Sequence, residues 1–173
     1  MTASHHRVNP TSVAQLEAPR IENGKPLLIA GLRYHYTSET MGKVPAQWQR
    51  FAPYIGKIPG QVGHAAYGLS FLHTGSPGIE YLSGVEVSNC AGLASEFSCA
   101  SIPAQRYAVF LHRDHVSKVW HTCDAIGKQW FPGSGYELAP PAAGAPDFFE
   151  RYTEAFDPRA GMGGIEVWIP IKS

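Results

Sequence analysis

Between Leu28 and Tyr36 the chain alternates. Ala30, Leu32, Tyr34 and Tyr36 fall on one side, and Gly31, Arg33 and His35 on the other, the period of two that predicts a β-strand. The pattern then changes. Val44, Trp48, Phe51 and Ile55 recur at helical spacing, Pro45 suits a first helical turn, and Pro53 should stop the helix near Ala52. Two further alternating runs, Ala65–Leu72 and Ile79–Ser88, read as strands joined by a turn rich in glycine and proline. The same order then recurs. Arg106–Arg113 predicts a strand, and Asp114 is placed to cap a helix whose stripe is Val116, Val119, Trp120, Cys123, Ile126 and Trp130, closed by Gly133 and Gly135. Phe148–Tyr152 and the run ending at Ile171 predict two last strands.

The order is therefore strand–helix–strand–strand, written twice. "IAGLRYH" aligns with "YAVFLHR" at an offset of 78 residues, and "GVEV" with "GIEV" at an offset of 80, which points to duplication. The expected fold is α+β: tandem strand–helix–strand–strand units related by a pseudo-twofold axis, antiparallel sheets with two main helices, and a central ligand pocket on that axis. Residues 1–18 read as a mobile arm. Residues 19–173 read as one domain with halves of about 19–98 and 99–173.

Composition narrows the classes. Lys+Arg and Asp+Glu both number 14, so there is no basic excess to recommend nucleic acid as a partner. Cys90, Cys99 and Cys123 are an odd set without tight spacing, read as reduced thiols. No basic segment followed by an apolar run opens the sequence, and no stretch approaches eighteen apolar residues, so the expected location is the cytoplasm, away from membranes.

Candidate chemistry lies in the last strands. In "GIEVWIPI", Ile165, Val167, Ile169 and Ile171 form an apolar face, while Glu166 and Trp168 share the other, roughly 7 Å apart. In "FFERY", Glu150 and Tyr152 share one face. If the two strands are neighbours, two carboxylates stand among aromatic rings; in the first half Glu86 and Tyr81 are the nearest equivalents, with Glu80 beside them. A carboxylate among rings is poorly hydrated. A delocalised organic cation would supply the opposite charge and stack on the rings. The same spacing also suits ordinary solvated glutamates with aromatic residues capping a sheet. His112 and His115, with His121 or Cys123, lack a tetrahedral ligand pattern, so neither metal nor cofactor is expected. Cys123 reads as core, as do most of Trp48, Phe51, Trp120 and Trp130 on the helix stripes.

These segments resemble the GyrI-like small-molecule-binding domain, also found as the effector-binding domain of AraC-type and MerR-type multidrug-responsive activators. The resemblance rests on "WQRFAPYIGKIPG", "YLSGVEVS", "IPAQRYAVFLHRDHVSKVWHTCDAIGKQW", "FERY" and "GGIEVWIPI", and covers nearly all of 19–171. It implies a pocket on the pseudo-twofold axis that takes lipophilic, often cationic, planar compounds. Glu150 is then the buried glutamate, with Glu154 as the alternative because long loops leave the register open. Tyr152, Glu166, Trp168, Glu86, Tyr36, Trp48, Phe51, Tyr67 and Trp120 are the expected wall. Family members act as sensors joined to a DNA-binding domain, as stand-alone proteins that sequester drugs or modulate gyrase, or as hydrolases opening strained cyclopropane rings. The arm is too short for a helix-turn-helix module, so a stand-alone binder is the first expectation. A hydrolase using Glu150 and Glu166, and a gyrase-binding protein, are the alternatives.

Overall fold

The computed structural model describes residues 16–72 and 75–173, so most of the expected arm lies outside the described residues. Eight strands form: β1 (Arg20–Gly24), β2 (Leu27–Tyr36), β3 (Gln61–Phe71), β4 (Ile79–Val87), β5 (Ser98–Ile102), β6 (Gln105–His112), β7 (Phe148–Tyr152) and β8 (Ile165–Ile171). They make one antiparallel sheet in the order β1-β6-β8-β7-β3-β4-β2-β5. The order reads as two groups of four that meet at the β7–β3 pair. Each group takes its outermost strand from the other repeat: β1 lies on β6, and β5 on β2. Neither short strand was expected, so each repeat is one strand longer than its hydrophobic pattern suggests.

Two helices cover one face. The first, α1 (Val44–Phe51), carries proline in its first turn and gives way to a 3₁₀ turn at Ala52, as Pro53 dictates. Ile55, expected on its stripe, lies beyond it and is exposed. The second, α2 (Val119–Ala125), is the regular centre of an uneven helix. A 3₁₀ turn (Val116–Lys118) precedes it, a π-helical turn (Ile126–Trp130) follows, and Phe131–Ser134 ends it at Gly135, whose φ of +75° suits glycine. The cap is His115, not Asp114: its side chain accepts from the Ser117 N–H, while Asp114 accepts from the His115 N–H. Among the described residues no helix is long and apolar enough to cross a membrane.

Cross-strand partners share a face, so register assigns every strand residue to a side. The helix side holds Ala30, Leu32, Val85 and Val87 against Phe51, and Ala108, Phe110, Val167 and Ile169 against Val119 and Ile126. The opposite side is buried as well. Its core is Ile29, Tyr67, Leu69, Leu82, Ala100, Ile102, Tyr107, Val109 and Phe149, with no helix residue among them. The sheet therefore curls on itself to cover this side.

Cys90 and Cys99 correct the expectation of reduced thiols. Pairing of β5 with β2 sets Cys99 opposite Ala30, on the helix side where Cys90 packs, and the two form a disulfide with Cα atoms 6.2 Å apart. Cys123 is free.

Candidate functional site

Glu150 occupies the central pair of strands. Its direct partner on β3 is Gly68, and Gly68 in turn faces Ser83 on β4. All three point to the helix side. A Cβ at Gly68 would come within 2.0 Å of the Tyr81 hydroxyl and 2.6 Å of Glu150 Oε2, so glycine there is what lets Tyr81 reach across β3. The Tyr81 hydroxyl donates to Oε2 at 2.7 Å, and the Tyr152 hydroxyl donates to the same oxygen at 3.0 Å. Trp48 of α1 donates its indole N–H to the Tyr81 oxygen at 3.1 Å and stands edge-on to Tyr152, ring centres 5.3 Å apart.

Gln47, the neighbour of Trp48, fixes this helix. It is fully buried, accepts from the Tyr36 hydroxyl, and donates to the carbonyls of Leu32 and Tyr81 and to the Ser83 hydroxyl. Such a fully satisfied buried amide ties α1 to β2 and β4, and so aims Trp48.

The electrostatics are unusual. Glu150 is only 1% exposed and forms no ion pair with any described residue, only bonds from two hydroxyls. Burial pushes its carboxyl up to about 7, against the opposing pull of Tyr81 and Tyr152. The tyrosines respond in kind: burial first, then the charge of Glu150, raise both well above the ordinary phenol range. Burial first, and then the same charge, raise the thiol of Cys123 on α2.

Glu166 has the opposite environment. In the β7–β8 register it faces Arg151, whereas Glu150 faces Val167. The two glutamates are thus on opposite faces of the sheet, and the expectation of two carboxylates lining one cavity is corrected. On the curled side Glu166 accepts from Arg20 at 2.8 Å, from Arg151 at 3.1 Å and from the Trp168 indole at 3.2 Å. Burial works to raise its pKa, but the bonds from Arg20, Trp168 and Arg151 hold it below the ordinary glutamate value. Trp168 stacks on Phe149, centres 5.5 Å apart.

The ten expected site residues divide accordingly. Glu150, Tyr152, Trp48, Phe51, Tyr36 and Trp120 belong to the helix side, where Trp120 stands edge-on to Phe148. Glu166, Trp168, Tyr67 and Glu86 belong to the curled side; Tyr67 accepts from Arg151, and Glu86 meets Lys25 at 3.4 Å. Glu154 is exposed beside His64, which decides between it and Glu150 as the buried carboxylate. His112 is engaged by Thr122 and the His115 carbonyl, and the described residues hold no cluster of three or more metal-ligating side chains. Sequence reasoning underrated Tyr81 and passed over Gly68, Gln47 and Ser70. A glycine in mid-strand is a signal of close approach, and Gly68 was visible as one.

A surface cleft of about 750 Å³ is lined by Gly24, Gln105, Arg106, Ile171 and Lys172 among others, and none of the Glu150 cluster lines it. Glu150 itself is buried beneath α1 and α2.

The family is settled by comparison. Residues 17–172 match the model of the GyrI-like small molecule binding domain, and the chain belongs to that family. It is similar to the structure of SAV2435 bound to tetraphenylphosphonium: TM-score 0.71, 19% identity, covering 91% of this chain and 95% of the other. It is also similar to the C-terminal domain of EcmrR, with TM-score 0.63 and 14% identity over 91% of this chain and 98% of that domain. The transcriptional regulator BrlR of Pseudomonas aeruginosa is 25% identical over 98% of this chain, which spans 59% of that regulator's length.

Proposed function

We propose that this protein binds lipophilic, planar organic cations between the sheet and its two helices, with Glu150 as counter-ion and Tyr81, Tyr152 and Trp48 as the aromatic wall. One observation carries the reading: Glu150 is fully buried and meets only hydroxyls, whereas Glu166, less deeply buried, has two arginines. A buried carboxylate without a cation is costly to ionise. A soft, weakly hydrated cation gives it a partner, and ring faces add cation–π attraction without demanding exact donor geometry. The family supports the cationic, lipophilic part of this reading, since SAV2435 was captured with tetraphenylphosphonium, a lipophilic aromatic cation that is tetrahedral at phosphorus.

Because Glu150 is buried, a ligand reaches it by displacing a helix. The π-helical turn after Ala125 is a place where α2 can change register.

Tetraphenylphosphonium titrated into the protein should quench tryptophan fluorescence, with an affinity in the micromolar range or better. Glu150→Gln should weaken it at least tenfold at pH 8, by removing the charge from a desolvated pair. Absence of binding below the high micromolar range, or unchanged binding in the variant, would refute the assignment.

A further inference from the structure

Ser70 lies two residues along β3 from Gly68, on the same side of the sheet. It is fully buried, and its hydroxyl has no hydrogen-bond partner. Its direct cross-strand neighbours are Tyr81 on β4 and Phe148 on β7. The first binds Glu150, and the second carries Trp120 of α2 edge-on, ring centres 6.2 Å apart. Ser70 stands diagonal to Glu150 across the β3–β7 pair, an arrangement that sets Cα atoms about 7–8 Å apart.

The helix side therefore buries two polar groups with unmet needs, side by side. Glu150 lacks a cation, and Ser70 lacks an acceptor for its O–H. Buried hydroxyls are ordinarily paired, because an unpaired donor forfeits its solvation with nothing in return. None of the nearby hydroxyl oxygens, on Tyr81, Tyr152 or Ser83, accepts from it. Alanine would fit the same small space without the cost.

We infer that Ser70 is the second polar anchor of the ligand site and sets its specificity. This rests on the Glu150 reading above. The ligand class becomes narrower: an aromatic cation bearing a hydrogen-bond acceptor, such as a carbonyl oxygen, beside its charge. A hydrocarbon cation satisfies Glu150 alone. An oxygenated one satisfies both groups and gains the difference.

The test uses two kinds of probe: tetraphenylphosphonium, and its three analogues carrying one acetyl group ortho, meta or para on a single ring. Each is titrated into the intact chain and into Ser70→Ala. For at least one acetyl isomer the variant should bind about tenfold more weakly than wild type, one hydrogen bond's worth, while tetraphenylphosphonium binds both alike. The empty variant should melt at the same temperature as wild type or higher, since a buried unpaired hydroxyl has been removed; a hydroxyl that merely supports the fold would give a lower melting temperature and equal losses for all four probes. That pattern, or identical affinities of both proteins for every acetyl isomer, would overturn the role of Ser70. Failure of tetraphenylphosphonium itself to bind wild type would instead remove the Glu150 reading, and this inference with it.

Discussion

A carboxyl whose pKa lies at 4.5 in the unfolded chain and about 7 in the folded one makes stability depend on pH. Between those values the native protein holds a proton that the unfolded chain has released. The native state is therefore favoured most below about pH 4.5, and this contribution is lost as pH rises through 7. The difference corresponds to about 3 kcal/mol between the two limits. Full burial means that no solvent screening discounts it. Glu150→Gln keeps the shape and the acceptor for Tyr81 and Tyr152 but cannot ionise. Urea denaturation at pH 5 and at pH 8, for wild type and variant, isolates the effect, because every other titrating group cancels in the comparison. The variant should gain about 2–3 kcal/mol on wild type between the two pH values, a midpoint displacement of roughly 1–2 M urea. A bound cation reverses the preference by stabilising the carboxylate. Affinity for tetraphenylphosphonium should fall nearly tenfold per pH unit below about pH 7 and level off above it. Parallel stability profiles for wild type and Glu150→Gln across this window would mean that Glu150 is ionised and paired in the folded state, and the argument for its role would be lost.

Other perturbations separate the parts of the site. Glu166→Gln lies on the far face and should change affinity for tetraphenylphosphonium by less than about threefold in the fluorescence titration, because charges screened by their own arginines couple weakly. Gly68→Ala would drive a methyl group between Tyr81 and Glu150 and should cost about 1–3 kcal/mol in urea denaturation, together with the binding that depends on their contact. The Cys90–Cys99 disulfide closes a short loop between β4 and β5, so reductant or Cys99→Ser should lower stability by about 2–3 kcal/mol. Thiol titration of the unreduced, denatured protein should find one free cysteine, Cys123.

Alternation along single strands was legible, and alignment between strands was not. "FFERY" and "GIEVWIPI" form strands with the faces their parity predicts. Whether Glu150 and Glu166 share a face depends on the register between β7 and β8, and a slip of one residue reverses it. The alternation within either strand alone does not encode that choice. It is set by Phe149 stacking on Trp168 and by Arg151 meeting Glu166, contacts across the intervening loop. The short strands β1 and β5 escaped for a related reason: "RIENG" and "SCASI" are five residues each and pair with the opposite repeat, so local pattern carries little of their stability. Tyr81 was within reach of sequence reasoning. It lies five residues from Glu86, an odd interval that puts the two on opposite faces, so it could never have shared a wall with Glu86.

The two buried glutamates show where such a fold can keep an unsatisfied charge. The curled side is closed by the sheet itself, and opening it would break ladder hydrogen bonds between strands. A charge there must be satisfied permanently, and Glu166 is, by Arg20 and Arg151. The other side is closed by α1 and α2, which pack on the sheet through side chains and can move without disturbing the ladder. Here α1 is pinned by Gln47, while α2 is interrupted by its π-helical turn. The unpaired carboxylate lies beneath these helices. At the central pair, Glu150 meets Gly68 rather than a second acid, and two carboxylates at that cross-strand distance would repel each other. The repeated halves thus meet with a carboxyl on one strand and a glycine on the other, and the Tyr81 hydroxyl takes up the room the glycine leaves.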